Sequence, residues 1–279
     1  MNLSPLIIHT ATAYSGPPGM SSEHLQDRVL QLEKFERFVR ERKEKVGREE
    51  EVFDAMLTPT VPVWQALFEE NDLLSKEMRS IVLDMLNRSR QVTKEDFETG
   101  APIASIGLWA GRADYIDSEM AWYRFRRATL HLCGITPATF CEQAKLLFPN
   151  LVFSSRFPDC LNSLEGGFDL FLPSVVKALE RLNDQLLETI QGHEIKEGLK
   201  RFTALSEFET TMEGNADRNG DLTFTFSDPP KKLVCSPHMK LHTSMVPGDS
   251  RHYFNRIYFN SHQSGGDARI HVGHIGGHL

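Results

Sequence analysis

The apolar residues of this chain change their period near residue 220. Before it they recur every three or four positions. Leu25, Val29, Leu32 and Val39 form one such set, and Met78, Ile81, Val82, Met85 and Leu86 a second. Phe140, Ala144 and Leu147 make a third, and Val175, Val176, Leu179, Leu182 and Leu186 a fourth. That spacing gives a helix one apolar face. From Leu222 to Phe226 the residues alternate instead, as in a half-buried strand. Helices first and strands last predict an α+β fold, a mainly helical N-terminal body followed by a small antiparallel sheet. The expected division is a loose lead-in over 1–20, a helical body over 21–215 and a histidine-rich sheet domain over 221–279.

Local signals place the helices. Ser15-Gly-Pro-Pro-Gly19 is a breaker cluster, and a helix is expected from Ser21. Thr58-Pro-Thr-Val-Pro62 interrupts the pattern before a short helix at Val63, and Ser75 is a candidate N-cap. A helix from about Asp117 carries Arg124, Arg126 and Arg127, read as a basic, solvated or ion-paired face. Thr136 and Pro137 open another helix, and one more is expected from Leu172-Pro173. Between residues 99 and 117 the glycines match neither GxGxxG nor a P-loop, so no phosphate-cradling loop is expected there.

Composition narrows the class. The net charge of −7 argues against general nucleic-acid affinity, so such contact needs a local basic patch. Four dispersed cysteines form no CxxC pair, which fits a reducing cytoplasm rather than a disulfide framework. No apolar run suits a membrane span, and the first twenty residues lack the pattern of a signal peptide.

Chemistry concentrates at the C-terminal end, where seven of the eleven histidines lie beyond residue 237. Pro237 argues against a helix there, since an interior proline costs about 3 kcal/mol. In an extended segment His238, Lys240 and His242 share one face and Met239 and Leu241 the other. Arg256 and Tyr258 join the His238 face if the strands pair in the matching register. In the last strand Ile270 and Val272 point together with His274, and His271 points away. His252, His262 and His271 are expected at the surface. Cys235 is expected to be a buried small side chain.

The candidate catalytic set is therefore His238, Lys240, Arg256, Tyr258, His274 and His278, with Lys231, Lys232, Arg251 and Arg269 as RNA-binding cations. Imidazole, ammonium, guanidinium and phenol groups with few carboxylates suit metal-independent RNA cleavage. A base takes the 2′-OH proton while cations stabilise the charge on phosphorus. The reading assigns no metal ligand and needs no cofactor.

The order His238-Met-Lys-Leu, Arg256-Ile-Tyr-Phe and a terminal His-Val-Gly-His resembles the sheet end of RelE-type ribonuclease toxins. It is similar, more broadly, to the metal-independent ribonucleases that include barnase, EndoU and the colicin nucleases. The likeness covers roughly residues 222–279. The terminal pattern, with Phe148-Pro-Asn-Leu-Val-Phe153, also resembles bacterial proteins of unknown function. The likeness to those bacterial proteins implies a bacterial protein but lends no activity, whereas the ribonuclease resemblance implies a toxin or defence effector that cleaves RNA and has a protein partner or inhibitor; the lack of a membrane-spanning apolar run predicts no membrane association. Two other readings stand beside it: a non-catalytic interaction module, and a zinc hydrolase using His238 and His242 with His274 or His278.

Overall fold

A computed structural model describes residues 7–9, 14–17, 19–93, 95–96, 102–110, 115–227, 230–242, 254–261 and 269–279. Arg251, His252 and His262 lie outside them. The chain forms two compact units, Met1–Cys133 and Gly134–Leu279. Helices come first and the main sheet last, so the fold is α+β. Among the described residues no helix is long and apolar enough to cross a membrane.

The first unit holds β1 (Ile7–His9), α1 (Ser22–Glu41), β2 (Gly47–Arg48), α2 (Val63–Phe68), α3 (Lys76–Arg88), β3 (Arg90–Gln91), β4 (Ile103–Ser105) and α4 (Glu119–Thr129). Ser21 caps α1 by accepting from the His24 N–H, Ser75 caps α3 by accepting from Met78, and Ser118 caps α4 by accepting from Ala121. The predicted apolar faces are inside: Leu25, Val29 and Val39 of α1 and Val82, Met85 and Leu86 of α3 are all buried. Two short parallel pairs, β1–β4 and β2–β3, complete the unit.

The arginines of α4 do not form one solvated face, although Arg126 is ion-paired as one of the two expected readings had it. Arg124 is exposed, but Arg126 and Arg127 are buried. The Arg126 guanidinium pairs with the buried Glu44 carboxylate, which also accepts from Trp122 Nε1 at 2.9 Å. Arg127 lies over the Tyr123 ring. Glu44 is 82 residues away from Arg126 in the chain, so local pattern gives no hint of the pairing.

The second unit begins with α5 (Pro137–Leu147), capped by Thr136 with proline in its first turn, as expected. Next come β5 (Leu151–Phe153), the short α6 (Phe157–Cys160) and α7 (Phe168–Arg181). α7 starts at Phe168 rather than at Leu172-Pro173, and Pro173 lies inside it. Burying Phe171 and Leu172 outweighs the hydrogen bond that proline cannot make. A π-helical turn, Leu182–Leu186, leads into α8 (Leu187–Ile190), and α9 (Ile195–Ser206) follows.

Among the described residues seven strands belong to this unit. To β5 are added β6 (Thr210–Met212), β7 (Thr223–Ser227), β8 (Pro230–Val234), β9 (Pro237–Lys240), β10 (Arg256–Asn260) and β11 (Ile270–Gly276). The main sheet has the order β5-β11-β10-β9-β6. Only β5 runs parallel to its neighbour, so the sheet is mixed, though mostly antiparallel. β5 falls in Phe148–Phe153, which reads from sequence as a short extended or buried segment, while β6 comes from the polar, weakly patterned end of the stretch assigned to the helical body.

β7 and β8 form a separate hairpin. Its inward residues Phe224 and Phe226 gather with Leu222, Cys235 and Tyr258 in one buried cluster. Tyr258 thus belongs both to the sheet and to the core beneath the hairpin. The opposite sheet face carries Met239, Ile257, Phe259, Val272 and Ile275, all buried.

Candidate functional site

Strand pairing sets the site. Met239, opposite Ile257, points away from it, while His238 faces Tyr258 and Lys240 faces Arg256 across β9 and β10. On the flanks Thr211 of β6 stands opposite His238, and His274 of β11 opposite Tyr258. Thr211, His238, Tyr258 and His274 therefore form one row across four strands. The His238 and Tyr258 rings are 5.3 Å apart, and Tyr258 and His274 5.9 Å. Thr211 Oγ1 and His238 Nε2 lie 3.3 Å apart, and Arg256 Nη1 donates to the Tyr258 hydroxyl at 3.5 Å.

His274 reaches this row through an irregularity. Simple alternation along β11 puts His274 beside Ile270 and Val272. Instead the register between β10 and β11 shifts after Tyr258, so that Phe259 faces Val272 while Tyr258 faces His274. Gly273 is the extra residue, and this bulge turns His274 to the face of Tyr258. A Cβ at Gly273 would sit 2.4 Å from Phe224 Cδ2 and 2.8 Å from Cys235 Sγ, so only glycine fits beneath the hairpin. On the near side of the bulge His271 packs edge-on against Phe226, at 5.0 Å. It is 1% exposed, not at the surface as alternation suggested.

Burial sets the charge state of the row. His238 and His274 are each 5% exposed and Tyr258 0%. Burial, aided by the nearby Arg256, pushes His238 down to about 4. Burial likewise lowers His274, against the opposing hydrogen bond from its Nε2 to the Gly277 carbonyl at 2.9 Å. Both rings are neutral at pH 7.

The exposed edge of the row is charged. His278 is exposed, and its Nε2 lies 3.5 Å from Arg218 Nη1. Burial, Arg256 and Arg218 lower its pKa, against the opposing Glu213. Arg218 pairs with Glu213 at 3.1 Å. Burial opposes the Glu213 carboxylate, but the Asn215 N–H, Arg218, His238 and the Gly214 N–H together hold its pKa below the usual range. Glu213 and Arg256 act on both His238 and His278, so these groups share one electrostatic environment.

Beside this edge is a cleft of about 510 Å³, with His274 and His278 in its wall and Arg156, Asp159, Glu165 and Phe254 around it. Its volume is in the range of small-molecule sites. Gly276 borders it tightly, since a Cβ there would meet Ser163 Oγ at 2.1 Å.

Five of the six expected catalytic residues thus come together: His238, Arg256, Tyr258, His274 and His278. Lys240 sits next to Arg256 but is held by Glu209 at 2.5 Å. His242 turns away to stack on Phe208 and does not meet His238. Lys231 and Lys232 stand on β8 of the covering hairpin, Lys232 exposed, and Arg269 just precedes β11. Cys235 is buried as expected, and burial pushes its thiol up to about 12. Among the described residues no three His, Cys, Asp or Glu side chains are placed to hold a metal ion.

Sequence pattern misses Glu213, Arg218 and Arg156. The first two lie in a polar stretch without period, and its turn signals at Asn215 and Gly220 are the one clue that the chain reverses there. No protein-family model, no curated protein and no solved structure matches the chain.

Proposed function

We propose that the second unit cleaves RNA without a metal ion, at the edge where His278, Arg256, Arg218 and Glu213 meet. The observation that carries this reading is an exposed imidazole, His278, standing 3.5 Å from one guanidinium and within the field of another, beside a cleft of about 510 Å³. Arg256 and Arg218 bind the scissile phosphate. His278 Nε2 removes the proton of the 2′-OH, whose oxygen attacks phosphorus. Negative charge on the non-bridging oxygens is met by the two guanidinium groups. The P–O5′ bond breaks, Arg256 stabilises the departing oxygen, and solvent protonates it. The products are a 2′,3′-cyclic phosphate and a 5′-hydroxyl. Glu213 orients Arg218 and favours the imidazolium as it forms. Tyr258 and His238, being buried, position Arg256 rather than touch substrate. This role agrees with the resemblance to RelE-type and related metal-independent ribonucleases, and with a toxin or defence activity.

A second reading, a non-catalytic interaction module, draws on the burial of His238, Tyr258 and His274, which also suits a packed polar core. Incubating a labelled RNA pool with the full chain in EDTA separates the two. The ribonuclease reading expects cleavage that drops about a hundredfold in His278→Ala and in Arg256→Ala, with thermal stability of His278→Ala unchanged. An uncleaved pool leaves the interaction module, and cleavage indifferent to both substitutions overturns the site proposed here.

A further inference from the structure

We propose that residues 49–72 of the first unit form a docking surface for a basic, amphipathic segment of a protein partner. The proposal stands on that unit alone and does not depend on the ribonuclease reading.

The first observation is an apolar face turned outward. α2 buries Val63, Ala66 and Leu67, as a surface helix should. Its other face presents Trp64, 41% exposed, and Phe68, 64% exposed, where a solvated helix carries polar residues. The preceding turn, Glu50–Phe53, adds to this face. The Val63 N–H donates to the Ala55 carbonyl at 2.9 Å, Met56 bridges to Pro62, and the Phe53 and Phe68 rings lie 6.4 Å apart. Met56 is itself 42% exposed. Trp64, Phe68, Met56 and Phe53 thus make one surface of the residue types that anchor protein interfaces.

The second observation is the charge around it. Residues 49–72 contain seven carboxylates and no Lys, Arg or His, an excess equal to the net charge of the whole chain, −7. Glu51, Asp54, Glu70 and Asp72 are exposed, and none has an ion-pair partner among the described residues. Arg48 lies over the Phe53 ring and Arg79 donates to the Glu69 carbonyl, so the rim is acidic in excess rather than of one sign. An apolar centre inside such a rim selects its occupant: apolar side chains to cover the rings, and Lys or Arg to meet the unpaired carboxylates.

The test uses the full chain and two designed 18-residue helical peptides, one with leucines on one face and lysines on the other, one with each lysine replaced by glutamate. Binding is read by fluorescence anisotropy of the labelled peptide. The lysine peptide is expected to bind at least tenfold tighter than the glutamate peptide and to weaken as NaCl is raised. Trp64→Ala with Phe68→Ala is expected to reduce its affinity at least tenfold, with circular dichroism confirming the fold. Glu69→Lys with Glu70→Lys is expected to shift the preference toward the glutamate peptide. Equal binding of the two peptides, no binding, or affinity untouched by the aromatic double substitution overturns the proposal. So does a dimer in sedimentation equilibrium that the aromatic substitutions dissolve, since the occupant is then a second copy.

Discussion

Each unit buries a polar cluster, and the two are built on opposite principles. In the first, Glu44 is enclosed by Arg126 and the Trp122 N–H, and charge is cancelled on the spot. In the second, Thr211, His238, Tyr258 and His274 are neutral, and the charges stand at the edge on Arg256, Arg218 and Glu213. The first arrangement is electrically closed and holds a fold together. The second leaves guanidinium groups and an imidazole at the surface, where a phosphate can meet them.

The largest test of this contrast is in the closed cluster. Removing the carboxylate in Glu44→Ala takes the Glu44 ion pair from the buried Arg126, and the expected loss of stability is about 3–5 kcal/mol. Urea denaturation measures it; a loss below about 1 kcal/mol makes the pair an ordinary surface contact.

The open cluster responds to pH instead. His238 titrates near 6.5 when unfolded and near 4 when folded, so the unfolded chain binds the extra proton first. Stability from this ring is complete above pH 6.5 and is lost as pH falls toward 4. Buried His274 acts in the same direction. Urea midpoints across that range are expected to decline with acidity, and to decline less steeply in His238→Gln. An identical slope in the variant removes His238 from the account.

Smaller effects separate architecture from charge. Gly273→Ala drives a Cβ into Phe224 and Cys235 and is expected to cost about 1–3 kcal/mol through overpacking. Lys240→Ala breaks a largely exposed pair with Glu209 and is expected to cost no more than about 1 kcal/mol. An RNA-cleavage defect in Lys240→Ala matching that of Arg256→Ala would return Lys240 to the catalytic set.

These same residues mark where sequence was readable. The change of period at Leu222 and the alternation after Pro237 carry the α+β order and put His238 and Lys240 on one face, but their pairing with Tyr258 and Arg256 needs a register that alternation does not fix. Both are local signals, with a period of two residues. The bulge at Gly273 is not, because its cause lies in Phe224, half a hundred residues earlier. Alternation therefore sent His274 to the wrong face and His271 to the surface. For Arg126 an ion pair is legible but its burial is not, because the partner Glu44 is distant in the chain. Glu213 and Arg218 have no period to betray them, and only the pairing of β6 with β9 brings them to the site.

The central claim is that the charged edge performs internal attack by a 2′-oxygen. The most direct measurement is mass spectrometry of the termini produced from a defined RNA in EDTA. The account predicts 2′,3′-cyclic phosphate and 5′-hydroxyl ends with wild type, and their disappearance with His278→Ala. Intact RNA, or 3′-hydroxyl and 5′-phosphate ends that form only when a divalent ion is supplied, would contradict it.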